Sequence, residues 1–147
     1  MRRVVAAFAA ALTAVLVSAQ SPPGYTTSDN PFQGDYAFAH GSAIALKANV
    51  KGLLLDSLAL ATTEAVRAGQ KVACVVRVQG RNRVDSKVTL KTILLLENAA
   101  GRGVERVELK EFKAKAARAF DEEQPVEVMG DSLNAAVRVY IFIQCTF

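Results

Sequence analysis

The sequence predicts an all-β fold, a jelly-roll or Ig-like β-sandwich of about 7–9 strands behind a flexible N-terminal segment. Three observations carry that prediction. The closing stretch Asn134 to Phe147 alternates strictly, with Val137, Val139, Ile141, Ile143, Cys145 and Phe147 on one side and Arg138, Tyr140, Phe142, Gln144 and Thr146 on the other. That is the period of a strand with one face in a core. Turn signals recur about every ten residues, and no long helical period interrupts them. A strand this long cannot bury its face alone, so the chain must supply a sheet beside it and a layer opposite.

The chain begins with Arg2 and Arg3, an uncharged apolar run from Val4 to Val17, and the small-residue pattern Val17-Ser18-Ala19. This order is that of an export signal at residues 1–19, removed on secretion, with an uncleaved anchor as the rival reading. Cleavage leaves 128 of the 147 residues, enough for one domain and too few for two ordinary ones. The 18 basic residues include Arg2 and Arg3, so the mature chain has 16 basic against 14 acidic residues, a net charge of +2. No nucleic-acid partner is expected from that balance, and no membrane span after signal cleavage, because no second apolar run of spanning length follows. The cluster Arg77, Arg81 and Arg83 straddles Gly80-Arg81-Asn82 and reads as a solvated hairpin end.

Residues 20–35 form a leader with three prolines and two glycines, too poor in apolar groups to build a core element. The sandwich domain is expected over residues 36–147. Asp35 to Asn49 reads as a bent strand pair interrupted at His40-Gly41-Ser42. Val50 to Thr62 is apolar on both faces, as a strand covered on both sides is, with a short helix as the rival. After a turn at Ala68-Gly69-Gln70, strands follow at Lys71 to Gln79 and Lys87 to Glu97, and extended structure at Val104 to Phe112. Lys113 to Phe120 fits a strand or a helix, strand being favoured. Asp121 to Gln124 reads as an acidic turn, Pro125 to Met129 as a short strand and Gly130-Asp131-Ser132 as a turn before the last strand. A closed membrane barrel fits less well, because Trp is absent and Ile93 to Leu96 is apolar on both faces.

Cys74 lies on the apolar side of its strand with Val72, Val76 and Val78, and Cys145 on the apolar side of the last one. In an exported chain this arrangement predicts a Cys74–Cys145 disulfide, whose loop of about 70 residues would contribute about 4 kcal/mol. Two buried free thiols are the alternative.

Catalytic chemistry has little to build on. The single histidine, His40, allows neither a His-rich zinc site nor an HExxH helix, and no nucleophile motif accompanies it. Asp121-Glu122-Glu123, and Asp29 with Asp35, lack the spacing of a calcium loop. No enzyme activity, metal or other cofactor is expected.

Three stretches carry a family resemblance. Phe38 to Leu46 (FAHGSAIAL) is similar to an opening Phe-Ala-x-Gly strand placed soon after signal cleavage, and Arg67 to Val72 to a Pro-Gly-Asp turn, with Ala68 and Gln70 in place of the proline and the acid. Gly130 to Phe147 is similar to a closing strand. In this order the chain resembles the TasA/camelysin family of secreted fibre proteins and the archaeal bundling pilins similar to it. The resemblance implies a non-catalytic structural subunit of an extracellular filament or biofilm matrix, joined to copies of itself by strand donation and to neighbouring filaments by bundling. The donor would be residues 20–38, anchored by Tyr25, Phe32, Tyr36 and Phe38. The acceptor groove would include Val139, Ile141, Ile143 and Phe147. The alternative is a monomeric secreted sandwich that binds a polysaccharide or a surface protein.

Overall fold

A computed structural model describes residues 21–147; the signal peptide read at residues 1–19 lies outside the described residues. In chain order the strands are β1 (Thr26–Thr27), β2 (Phe32–Ala37), β3 (Ile44–Val50), β4 (Leu53–Thr62), β5 (Lys71–Asn82), β6 (Val88–Glu97), β7 (Gly103–Glu108), β8 (Phe112–Ala114) and β9 (Ala119–Met129). A short helix α1 (Gly130–Ala135) leads into β10 (Arg138–Thr146). The first sheet has the order β1-β3-β4-β5-β9. The second has the order β2-β10-β6-β7, with β8 also on β6. The fold is an all-β sandwich of ten strands among the described residues, two of them short: β1, of two residues, and β8, of three.

Alternation positions the core. Inward residues of both sheets form one cluster that includes Leu53, Leu55, Leu58 and Leu60 of β4, Leu90, Leu94 and Leu96 of β6, and Ile141 and Ile143 of β10. Each buried Leu or Ile contributes about 1.5–3 kcal/mol. The β3–β4 hairpin turns at Lys51 and Gly52, whose φ values of 51° and 97° match the right-handed twist of the strands it joins. Thr92, fully buried on β6, has no partner for its hydroxyl. Thr92→Val, which keeps the branched shape and removes the orphaned group, is therefore expected to stabilise by about 1 kcal/mol in urea unfolding.

Several sequence expectations are corrected. Strands β2 and β3 are not a pair; they lie in different sheets, and residues 38–43 cross between them. Gly80-Arg81-Asn82 belongs to β5, because the buried Asn82 side chain organises the turn that follows it. Residues 113–120 split between β8 and β9 around a turn at Ala117, whose φ is 55°. The acidic turn is absent. β9 runs unbroken through Asp121 and Glu123, which face Arg77 on β5, and Pro125 is tolerated because only β5 adjoins this edge strand. Gly130-Asp131-Ser132 opens α1, with Leu133 buried, and Val137 and Phe147 fall outside β10, 45% and 46% exposed.

The disulfide is also corrected: Cys74 and Cys145 are free and buried. Cys74 sits near the start of β5, at the end of the sandwich crossed by α1, whereas Cys145 is the next-to-last residue of β10, near the other end. A disulfide needs Cα atoms within about 7 Å, which opposite ends of a sandwich do not offer. Burial pushes the Cys145 thiol up to about 12 and raises Cys74 as well, so both stay protonated at neutral pH.

Candidate assembly site

The leader does not stand free. Ser28 donates its N–H to the Asn49 carbonyl, and β1 runs parallel to β3 at Ala48 and Asn49. The Tyr25 hydroxyl donates to Asp56, and Lys47 lies over the Tyr25 ring at 5.0 Å. That hydrogen bond, with burial second, raises the phenol above its ordinary range. The chain then crosses to the second sheet, where β2 pairs antiparallel with β10 from Phe32↔Ile143 to Ala37↔Arg138. One leader thus straps together the edges of both sheets.

Its seat on β10 is specific. Phe32, Gly34 and Tyr36 share the inward face with Ile143, Ile141 and Val139. Phe32 is 5% exposed, and Tyr36 and Phe38 pack against the core from its margin. The Tyr36 ring folds over Gly34; a Cβ there would stand 2.5 Å from a ring carbon, so any side chain at this position has to displace the ring. Burial raises the Tyr36 phenol. The Asn30 side chain prolongs the ladder, its Nδ2 donating to the Cys145 carbonyl at 2.7 Å and its Oδ1 accepting the Cys145 N–H at 3.0 Å. Sequence reasoning missed Asn30, since one amide beside a proline reads as a turn.

Tyr25, Phe32, Tyr36 and Phe38 therefore anchor their own chain, and Val139, Ile141 and Ile143 are brought together beneath β2. Phe147 is not among them; it is exposed at the chain end. His40 is exposed in the crossing, and among the described residues no three His, Cys, Asp or Glu side chains are placed to hold a metal.

The outer face of the second sheet adds a feature that alternation concealed. Tyr140 and Phe142 of β10 and Ile93 and Leu95 of β6 stand side by side, partly exposed, around a shallow depression of about 240 Å³ bordered by Arg106. The signal was present in Ile93 to Leu96, apolar on both faces, but it becomes a patch only once β6 and β10 are known to be neighbours. On the outer face of the first sheet, Arg77 bridges Asp121 at 2.8 and 2.5 Å and holds its carboxyl below the usual range.

No family model and no curated protein matches the sequence. Among solved structures, the chain is similar to a DUF1425 family member from Shewanella sp. pv-4, with 9% identity over 73% of this chain and 98% of that one, at a TM-score of 0.36. It is also similar to the Avr2 effector protein from the fungal plant pathogen Fusarium oxysporum, with 11% identity over 83% of this chain and 93% of that one, again at 0.36. Likenesses at this level carry no functional argument.

Proposed function

We propose that this chain is a non-catalytic structural subunit of an extracellular filament or matrix fibre, exported by the signal at residues 1–19 and assembled by exchange of the N-terminal strand between copies. One observation carries the reading. The segment proposed as donor is the first element of the described residues, lies at the sheet edges, and is joined covalently to the strands that follow only through residues 38–43. It can leave without unthreading another strand. The β10 groove it vacates would expose unpaired backbone and apolar side chains, which the same segment of a neighbour satisfies in the same register. Exchange passed from subunit to subunit in one direction is a heterologous contact, which yields a fibre when its rotation does not close into a ring. The self-docked form is then the soluble precursor.

A second reading is a monomeric secreted module that binds a surface protein or a polysaccharide, favoured by the partly exposed Tyr140 and Phe142. Electron microscopy and light scattering of the chain from Gln20 onward separate the two. Filaments are expected as concentration rises, and fewer of them when residues 38–43 are lengthened with Gly and Ser, because a longer hinge relieves return to the same chain. A mature chain that stays monomeric at high concentration, with β2 protected from hydrogen exchange, contradicts assembly.

A further inference from the structure

We infer that the outer face of the second sheet is a two-fold interface between copies of this chain, independent of strand exchange. The strand register points to it. Across four strands, the row through Tyr140 reads Asp35, Tyr140, Leu95, Arg106: acid, aromatic, aliphatic, base. A two-fold axis parallel to the strands, between β10 and β6, lays this row on its own reverse in the second copy. Tyr140 then covers Leu95 of the other copy, and Asp35 meets its Arg106.

The neighbouring rows obey the same operation. Phe142 is in register with Ile93, with Gln33 and Glu108 at the flanks, so aromatic again meets aliphatic and an amide meets a carboxylate. At one end Arg138 is in register with Glu97, and at the other Gln144 with Lys91. Every pair is complementary, as an isologous interface requires. The rim charges are held by weak exposed pairs within the chain, Arg138 to Asp35 at 3.1 Å, Arg106 to Glu108 at 3.6 Å and Lys91 to Glu108 at 3.9 Å. These pairs remain free to take a second partner.

Strand spacings of about 4.8 Å and alternate-residue spacings of about 6.8 Å give a face of about 19 by 27 Å, or about 500 Å² per copy. About 1,000 Å² in total is at the low end for a specific interface, so a reversible dimer with micromolar or weaker affinity is expected. Two sheets packed face to face, about 10 Å apart, fit together in this way without rearrangement.

Sedimentation equilibrium of the chain from Gln20 onward, with sedimentation velocity to show rapid exchange, tests the interface. Leu95→Glu is expected to weaken the dimer at least a hundredfold while thermal unfolding shows the sandwich intact. Asp35→Lys and Arg106→Glu are each expected to weaken it about tenfold, and the double reversal to recover most of that loss, which a merely structural role would not produce. A wild-type chain that is monomeric at 1 mM, leaving the face to a different partner, overturns the proposal. So does a dimer indifferent to Leu95→Glu, or one in which the double reversal is no better than the singles. Leu95 lies on β6, outside the β2–β10 ladder that strand exchange would remake, so the two assemblies fail separately.

Discussion

Phe32→Ala is expected to cost about 3–5 kcal/mol of unfolding free energy, the largest effect of any single truncation in the N-terminal segment. Phe32 is the one side chain of β2 that is fully inside, 5% exposed and opposite Ile143. Its removal leaves a cavity at the sandwich margin and takes away the main apolar hold of an edge strand that has only one neighbour. Native-state hydrogen exchange should therefore show a localised pattern: faster exchange over β2 and its side of β10, with β4 and β5 protected as before. A loss below about 1 kcal/mol would mean that β2 is not seated through Phe32. The same substitution is expected to abolish filaments, because the Phe32 ring that seats β2 on its own β10 would seat it equally on the β10 of a neighbouring subunit.

Asn82→Ala is expected to lower stability by about 3 kcal/mol or more, since each buried backbone group left unpaired costs about 1–3 kcal/mol. Asn82 has no exposed surface, and its amide donates to the carbonyls of Ser86 at 2.8 Å and Ala114 at 3.2 Å while accepting the Val84 N–H at 2.9 Å. It thereby ties β5 of one sheet to β8 of the other. Gln124 does the same at the β9 side, accepting the Lys110 N–H and donating to the Lys110 carbonyl, both at 2.8 Å. Urea midpoints at constant m-value are the measurement. Asn82→Asp, which keeps the acceptor and loses both donors, should be no more stable than Asn82→Ala; wild-type stability for it would show that those donors are not used.

Alternation made the main strands legible. β5 and β10 each bury every second residue, and a one-residue slip would turn that buried set into water, so their position follows from residue order alone. The segments that differ from expectation depend on long-range partners. Asp121 and Glu123 look like a turn until Arg77 is placed on the neighbouring strand, and Asn82 looks like a turn residue until Ala114 lies across from it. Cys74 and Cys145 do point inward, but facing the core does not fix position along it. Half of the candidate site was visible as apolar residues at Phe32, Tyr36 and Phe38 and on the inward face of β10. The Asn30 clasp and the Asp35 to Arg106 row were not, because each joins strands far apart in sequence.

A single cysteine pair tests the exchange of β2 most directly. Ala37 and Arg138 are register partners on the outer face of the β2–β10 ladder, and residues opposed in this way are close enough for a disulfide to form. The doubly substituted chain, Ala37→Cys with Arg138→Cys, is assembled and oxidised, and its products are separated without reductant. Because Cys74 and Cys145 are buried, native oxidation is confined to the introduced pair. Strand exchange predicts a ladder of covalently linked subunits from assembled material and intramolecular bonds alone from the monomer. Assemblies in which every bond closes within one chain would show that β2 never leaves its own β10.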